Sequence, residues 1–461
     1  MRKSGILLAI SSLPGKYGIG GFGKEAYDFV DFLAASGQHY WQILPLGPTG
    51  FGDSPYQSFS TYAGNPYYID LEELIRLGLL TRKECDGADL CDTFGKKKER
   101  VSDSVNYEKI YFGKMALLRK AFSRFDKTDK TFRSFIKKEK NWLSDYALFM
   151  ALKEEEEGAS FIGWDKDLRL RKKKALKEAE IRLAAEVEFA YFHQYFFFTQ
   201  WERLKKYAND RKVEIIGDIP IYVAADSADT WAHPELFLLD DKGNPKGVAG
   251  CPPDYFSATG QLWGNPLYRW HRMRWNGYAW WADRMKGMAS LYDIVRIDHF
   301  IGFANYYSIP YGAPNARNGK WVIGPGKKLF KKLKKAVPDL RIIAEDLGEV
   351  NDRVRALVNW CGYAGMKVLT FGFDGDPASN PHDLDHYHSN CVAYTGTHDN
   401  DTVLGWAEKA NSQSLAAAKK KLGFRELREA PQAFIRAVLA SPCELAVIPM
   451  QDILGLGGEA R

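Results

Sequence analysis

The sequence has few cysteines, no long apolar run and no long run of one charge sign. Six cysteines are scattered over 461 residues, and none forms a C-x-x-C pair. This usage argues against a disulfide scaffold and predicts reduced thiols in a cytoplasmic protein. No run of about 18 apolar residues occurs, so no membrane-spanning helix is expected. The apolar part of "MRKSGILLAISSLPG" is also shorter than that of a secretory signal peptide.

The charge pattern argues against a nucleic-acid partner and against association with a membrane. The formal net charge is +6, but lysine and arginine are interleaved with aspartate and glutamate along most of the chain. Binding to nucleic acid or to a lipid surface requires a concentrated basic patch, and the runs of one sign here are short. The sequence makes no prediction about protein partners.

Two stretches imitate ligand-binding motifs without the usual context. Residues 18–23, "GIGGFG", fit the dinucleotide pattern G-x-G-x-x-G, yet they lie well beyond the preceding predicted strand, and no acid closes the next one. His382, His386 and His388 in "HDLDHYH" have spacings that a metal could use, but they stand in a polar segment typical of a solvated loop. We therefore predict neither a cofactor nor a metal.

The residues that are present predict an α/β barrel. Apolar residues make up 45% of the chain and aromatic residues 14%, enough to bury a large core. Length alone suggests about three domains, but one barrel with insertions can exceed about 250 residues as a single unit. Short apolar runs with β-branched residues lie at 5–11, 39–46, 213–223, 292–298, 341–348, 366–373, 390–397 and 444–450.

Helical patterns precede several of these runs. Examples are 23–38, in which Phe29, Phe32 and Leu33 are predicted to share one face, and 324–339. Strands that alternate with helices predict βαβ units and a parallel sheet. Eight such units favour a closed (β/α)8 TIM barrel over an open doubly wound sheet.

Two long insertions interrupt the alternation. Residues 75–205 are helical in pattern and densely charged, which is typical of a solvated helical subdomain. Residues 224–290 form an aromatic-rich subdomain with six of the thirteen tryptophans among Gly, Pro and Asn. Because no internal repeat or low-complexity linker occurs, we predict a single barrel over 1–461 that carries both insertions.

Carboxylates lie at or just beyond the C-terminal ends of four predicted strands. Asp218, Asp298 and Glu345 close the runs "VEIIGD", "DIVRID" and "RIIAE". Asp399 follows "CVAYTGTH". The strand ends of a barrel converge on one face, where active sites are built, so these acids are expected to meet. Period-2 alternation places Arg296 on the same side of its strand as Asp298, where its charge would keep that acid ionised.

This cluster favours glycoside chemistry. A single strand-end acid could equally cap a helix or pair with lysine or arginine. That explanation weakens for all four together, since burying uncompensated carboxylates near one another costs free energy. Carboxylates among tryptophan- and tyrosine-rich loops are typical of enzymes in which one acid attacks the anomeric carbon and another protonates the leaving oxygen. Retention of configuration would require two carboxyl groups about 5 to 5.5 Å apart.

Long motifs occur in a characteristic order along almost the whole chain, apart from the charged helical insertion. They include "SGILLAISSLPGKYGIGGFG", "WQILPLGPTGFGDSPYQSFSTYAGNPYYIDL", "GDIPIYVAADSADTWAHPELF", "GCPPDYFSATGQLWGNPLY", "VRIDHFIGF", "IIAEDLG", "YTGTHDNDT" and "PMQDILGLGGEAR". In these motifs the chain resembles the amylomaltases, bacterial 4-α-glucanotransferases of glycoside hydrolase family 77. The resemblance implies an α-amylase-like barrel that transfers a segment of an α-1,4-glucan to the 4-position of glucose or a maltooligosaccharide.

The same resemblance implies roles for individual residues. Asp298 would be the nucleophile that forms a β-glucosyl-enzyme, Glu345 the general acid and then the base, and Asp399 the stabiliser of the transition state. The charges of Asp298 and Asp399 would raise the pKa of Glu345, so that it starts protonated. Arg296 would orient Asp298. Sugar contacts are implied for His299, His398, Asp218, Tyr56, Ser58, Asp254, Tyr255, Phe256, Trp263 and Asn265.

Two of these implied features need a particular local structure. Alternation points His299 away from Asp298, so its contact with a sugar hydroxyl requires the strand to end before it. The loop 247–266 would close over the site, bind an acceptor glucan and exclude water.

Other functions stay open from the sequence alone. A retaining α-glucan hydrolase would have the same three carboxylates and differ only in its acceptor. A non-catalytic glucan-binding protein would keep the aromatic residues without needing the carboxylates. The chain also ends at "GLGGEAR", where the family continues with a short loop and the helix that closes the barrel. We therefore expect that helix to be missing and an apolar face of the first and eighth strands to be exposed.

Overall fold

The centre of the fold is a sheet of eight parallel strands. The computed structural model describes residues 2–92, 104–253, 257–348 and 350–461. Within these ranges the strands are β1 (Lys3–Leu7), β2 (Tyr40–Gln42), β3 (Glu214–Pro220), β4 (Gly247–Cys251), β5 (Gln261–Pro266), β6 (Ile294–Asp298), β7 (Asn305–Pro310), β8 (Lys320–Ile323), β9 (Arg341–Ala344), β10 (Gly365–Val368), β11 (Cys391–Tyr394) and β12 (Leu445–Pro449).

Eight of these strands close into a barrel. They pair in the order β10-β11-β12-β1-β2-β3-β6-β9, and each pair is parallel. A bridge between Ile343 and Ala364, with the Ala344 N–H donating to Ala364 O at 2.9 Å, brings β9 against β10. Each predicted apolar run contributes one of the eight strands. The predicted (β/α)8 TIM barrel is therefore confirmed over the open doubly wound alternative.

Helices connect the strands and fill the insertions. They are α1 (Lys24–Ala35), α2 (Leu71–Arg76), α3 (Arg82–Gly87), α4 (Tyr107–Lys109), α5 (Met115–Arg124), α6 (Lys130–Lys138), α7 (Lys140–Glu155), α8 (Lys166–Arg169), α9 (Lys173–Arg182), α10 (Ala184–Asp210), α11 (Ala228–Ala232), α12 (Trp270–Trp275), α13 (Ala279–Leu291), α14 (Lys327–Ala336), α15 (Asp352–Cys361), α16 (Val403–Lys409), α17 (Ser412–Leu422), α18 (Ala430–Ala440) and α19 (Met450–Ile453). In the described part of the chain, no helix is both long enough and apolar enough to cross a membrane.

Helix α1 agrees with the predicted helix at 23–38 but buries a different face. Phe29 and Leu33 are buried, together with Ala26 and Val30, whereas Phe32 is 45% exposed. At about 100° per residue, Ala26, Phe29, Val30 and Leu33 form one stripe, and Phe32 falls on its flank. The prediction that Phe32 belongs to the buried face is therefore wrong.

Apolar side chains fill the inside of the barrel. The buried cluster contains Leu7, Tyr40, Ile216, Ile294, Ile343, Met366, Val368, Val392, Tyr394, Leu445 and Val447. In β6, Ile294 belongs to this packed interior, and Arg296 lies on the same side of the strand one alternation further. The strand therefore changes from core to polar site within its own length.

A second sheet lies outside the barrel. It is antiparallel, with the order β5-β4-β7-β8. Strands β4 and β5 belong to the segment 224–290, whereas β7 and β8 follow β6 in the chain. The limits of the two subdomains at 75–205 and 224–290 stay a prediction.

Candidate active site

The four strand-end carboxylates lie at the C-terminal end of the barrel. Asp218 lies within β3, Asp298 is the last residue of β6, and Glu345 follows β9. Asp399 stands in the loop after β11. The barrel topology brings these residues together as the sequence predicted.

Arg296 joins two of the acids. Its side chain is buried; Nη1 donates to Asp218 Oδ2 at 2.6 Å, and Nη2 lies 3.3 Å from Asp298 Oδ1. The strand register explains the stronger contact, because Asp218 of β3 stands directly opposite Arg296 of β6. Arg296 therefore shares a side with Asp298 as predicted, but its shorter bond is to Asp218, which the sequence did not predict.

Tyr56 connects Asp218 to the loop after β11. Its hydroxyl donates to Asp218 Oδ2 at 2.8 Å and lies 2.6 Å from His398 Nε2. Because the phenol proton is used on Asp218, His398 Nε2 must carry the proton of the second bond. The two rings stack at 5.7 Å, and Nε2 lies 3.3 Å from Asp399 Oδ2. Burial lowers the pKa of His398 against the opposing charge of Asp399, which favours the neutral imidazole.

Glu345 is buried and held by backbone donors. Its Oε2 accepts from the His299 N–H at 2.6 Å, and its Oε1 accepts from the Leu347 N–H at 2.9 Å. Burial raises the pKa of Glu345 to about 8, the charge of Asp298 adds to this rise, and Arg296 and the backbone donors oppose it. The expected direction is correct, but burial is the main cause, ahead of the charge of Asp298.

Asp298 titrates as the partner of Glu345. Burial raises its pKa to about 7, Arg296 opposes the rise, and the charges of Asp218 and Asp399 add to it. When two neighbouring carboxyl groups share a low-dielectric site, the first charge favours retention of the proton on the other group. The ion pair with Arg296 favours that charge on Asp298, so the shared proton resides on Glu345.

His299 lies where the strand has already ended. Strand β6 stops at Asp298, and His299 has φ 50° in the left-handed region before the short helix Phe300–Phe303. A ligand contact by His299 requires the strand to end before this residue, as stated for the sequence, and the strand does end there. Its ring packs edge-on against Trp263 at 4.7 Å, and burial lowers its pKa to about 4. Among the described residues, His299 Nε2 has no hydrogen-bond partner.

The remaining predicted contacts come from strand β5 and from the loop that contains Tyr56 and Ser58. Asn265 is buried, and its Nδ2 donates to Val223 O at 2.8 Å. Its Oδ1 accepts from Gln57 Nε2 at 3.1 Å, a contact that sequence reasoning missed although Gln57 lies between Tyr56 and Ser58 in "SPYQSFS". Ser58 Oγ donates to Ser60 O at 2.9 Å within its own loop. The predicted contacts Asp254, Tyr255 and Phe256 lie outside the described residues.

The histidine segment 382–388 has a mixed environment. His386 and His388 are exposed as expected of a solvated loop, but His382 is half-buried and its Nδ1 accepts from the Val368 N–H at 3.2 Å. Burial lowers the pKa of His382 to about 4. Across the described ranges, no group of three or more His, Cys, Asp or Glu side chains is arranged to hold a metal ion.

Known proteins are similar to this chain in both sequence and fold. A family model described as 4-alpha-glucanotransferase matches residues 8–461. A 4-alpha-glucanotransferase of Clostridium butyricum is 49% identical over 98% of this chain and 92% of the relative. One of Thermus thermophilus is 47% identical over 100% of this chain and 92% of the relative.

A solved structure superposes on the whole fold. The amylomaltase from Streptococcus agalactiae in complex with acarbose is 39% identical, with a TM-score of 0.94 over 100% of this chain and 92% of that chain. With a family match of this length and relatives of this identity, the chain belongs to glycoside hydrolase family 77, the family of the 4-α-glucanotransferases.

Proposed function

We propose that the chain transfers segments of α-1,4-glucans by a retaining double displacement in which Asp298, Glu345 and Asp399 have the roles given above. The observation that carries this proposal is the pairing of two unlike carboxyl groups at one barrel end. Asp298 is ion-paired with Arg296, and Glu345 has a pKa raised to about 8. One acid is thus prepared as a nucleophile and the other as a proton donor.

In the first step Glu345 protonates the glycosidic oxygen while Asp298 attacks the anomeric carbon. The bond between that carbon and the leaving oxygen breaks, and an ester bond to Asp298 forms with inversion. Arg296 remains paired with Asp218 throughout, so the loss of charge on Asp298 leaves no unpaired guanidinium. The departing fragment carries the proton away as its new hydroxyl.

In the second step the acceptor hydroxyl takes the place of the departed fragment. Formation of the glycosyl-enzyme removes the charge of Asp298, which is one of the causes of the raised pKa of Glu345. The pKa of Glu345 therefore falls, and the carboxylate can remove the proton from the acceptor 4-hydroxyl. The acceptor oxygen bonds to the anomeric carbon as the ester bond to Asp298 breaks, which frees the Asp298 carboxylate, and this second inversion restores the α-configuration.

The surrounding polar groups are suited to binding sugar hydroxyls. Burial favours the neutral imidazole in His299 and His398. His299 can therefore still form a hydrogen bond through Nε2, whereas His398, whose Nε2 proton is used on Tyr56, offers Nδ1 as an acceptor. The Asp218 Oδ1 atom is buried and has no protein partner among the described residues, which leaves an acceptor for a hydroxyl. Asp399 has a side chain that is 65% exposed, so it can reach a bound ring.

The segment 247–266, whose ends are the antiparallel strands β4 and β5, is proposed to select a sugar acceptor over water. Its described part is anchored where Asn265 binds both Val223 O and Gln57, and it presents Trp263 next to His299. An aromatic face beside the reacting centre can stack on an acceptor ring and displace water.

The substrates proposed are α-1,4-glucans and maltooligosaccharides, and the proposed location is the cytoplasm. Among the described residues, which include all six cysteines, no disulfide is formed, and this agrees with a reducing compartment. The chain is similar to an amylomaltase whose structure contains acarbose.

Incubation with maltotriose tests the proposal against the hydrolase alternative. A transferase produces glucose and a ladder of longer maltooligosaccharides, while the concentration of reducing ends stays nearly constant because each cleavage is matched by a new bond. Chromatography of the products and a reducing-end assay measure the two quantities. A steady rise in reducing ends without longer products would contradict transfer.

The matched control is Asp298→Asn. This variant lacks the nucleophile, so turnover should fall by about 10⁴-fold or more. Its affinity for maltoheptaose, measured by calorimetry, should persist, because the amide keeps the shape of the side chain. Unchanged turnover would refute the assigned nucleophile and leave the glucan-binding alternative open.

A further inference from the structure

One side chain holds both ends of the loop that carries His398 and Asp399. Asp452 Oδ2 accepts from Thr395 Oγ1 at 2.6 Å, and Asp452 Oδ1 accepts from the Val403 N–H at 2.7 Å. Thr395 is the first residue after β11, and Val403 is the first residue of α16. The loop therefore begins and ends on a single carboxylate.

Asp452 attaches this loop to a neighbouring part of the barrel. It lies in α19, which follows β12 directly, and β12 pairs with β11. Inside the loop, Asn400 Oδ1 accepts from the Thr397 N–H at 2.9 Å, which shapes the turn locally. The two bonds to Asp452 tie that turn to the end of the next barrel strand.

Burial of the Asp452 carboxylate lowers the stability of the folded chain. Its side chain is 1% exposed, and within the described ranges it forms no ion pair. Burial raises its pKa, so the charged form is unfavourable there. A buried carboxylate without a cation costs free energy that its hydrogen bonds only partly offset.

We propose that Asp452 is a positioning residue for glucan transfer, which fixes the loop between Thr395 and Val403 so that His398 and Asp399 face the bound sugar. Asp452 contacts neither the reacting atoms nor the other carboxylates of the site. It acts through the loop, so its loss is expected to misplace Asp399. The inference rests on the proposed role of Asp399.

The test compares three variants of the full chain on maltotriose. Asp452→Ala removes both bonds to the loop. Asp452→Asn retains them, because its Oδ1 can accept from Val403 and its Nδ2 can donate to the Thr395 hydroxyl. Asp383→Ala is the control, since Asp383 is also buried but bonds to the Asp385 N–H and to Lys421.

We expect Asp452→Ala to lower kcat about tenfold to a hundredfold at temperatures where it stays folded, as for a misplacement of about 1 Å. Asp452→Asn should restore kcat to within about threefold of the original chain. Asp383→Ala should lower the thermal midpoint without lowering kcat. If Asp452→Ala lowers only the midpoint, as the control does, the inference is wrong.

A pH profile separates positioning from general loss of structure. The charge of Asp399 is one cause of the raised pKa of Asp298. Displacing Asp399 should therefore move the acidic limb of kcat/KM to lower pH in Asp452→Ala but not in Asp383→Ala. An acidic limb at the same pH in both variants would also overturn the inference.

Two further variants keep the outcomes distinct. If Asp399→Ala leaves turnover unchanged, the proposed role of Asp399 is wrong. If Asp399→Ala is inactive while Asp452→Ala is fully active, only the positioning role proposed for Asp452 is wrong. Should Asp452→Ala not fold, Thr395→Val removes one of the two bonds without touching the carboxylate. An unchanged kcat in Thr395→Val would then contradict the inference.

Discussion

At the scale of single residues, the unlike environments of Asp298 and Glu345 predict a narrow pH optimum. Asp298 must be ionised to attack, and its pKa is raised to about 7; Glu345 must be protonated to donate, and its pKa is raised to about 8. We expect kcat/KM for maltotriose to fall below about pH 7 and above about pH 8, with both limbs belonging to the coupled pair. Initial rates across the pH range measure this.

The alkaline limb can be assigned with one variant and one donor. In Glu345→Gln, α-maltosyl fluoride needs no acid because fluoride leaves without a proton. The first-turnover release of fluoride by this variant should therefore lose the fall at high pH. If the same alkaline fall persists, it belongs to another group and the role given to Glu345 is wrong.

Sequence patterns predicted the acidic residues of the site better than the hydrogen bonds that other side chains form around them. Asp298 and Glu345 follow from strand ends, because barrel topology alone brings such positions together. The bonds of Tyr56 to Asp218 and His398 could not be predicted, since they join a loop to residues far away in the chain. Gln57 was missed for the same reason.

At the scale of elements, helix α1 offers a test of which side chains hold the barrel. Leu33 is fully buried against the core, whereas Phe32 on the same helix is 45% exposed. Leu33→Ala should lower the free energy of unfolding by about 2–5 kcal/mol through lost burial and a cavity. Phe32→Ala, the larger truncation, should cost clearly less. Denaturant unfolding measures both, and an equal cost would contradict the assigned face.

Strands of the barrel were predictable, and those of the second sheet were not. The run around β12, Leu445–Pro449, is buried at every position and reads as a continuous apolar strand. Strand β8, Lys320–Ile323, has mostly exposed side chains and no alternation to recognise. Its pairing with β7 depends on tertiary packing that local pattern does not encode.

At the scale of the whole molecule, the ionised Asp298 carboxylate of the site lowers the free energy of unfolding. The folded pKa of Asp298 is raised above its ordinary value, so the stability linked to this group is complete at low pH and is lost as pH rises through about 7. Asp298→Asn cannot ionise, and Arg296 keeps Asp218 as its partner. We expect the variant to have a higher thermal midpoint than the original chain at about pH 9, and this difference should become small only towards about pH 4, the ordinary pKa of an aspartate. Equal shifts at both pH values would contradict this.

The overall architecture followed from the alternation of apolar runs and helical patterns. Parallel strands need crossover helices, and eight units suffice to close a sheet, so the closed barrel was predictable. The position of the loop between β11 and α16 could not be predicted, because both of its ends bond to a buried carboxylate, Asp452, that comes from beyond β12.

The most direct test of the account is to locate the covalent intermediate. Glu345→Gln should form a maltosyl-enzyme from α-maltosyl fluoride and then stall, because no base remains to activate an acceptor. Mass spectrometry of the quenched, digested protein should find the maltosyl group on Asp298. A maltosyl group on another residue, or release of β-maltose without any adduct, would contradict the proposed double displacement.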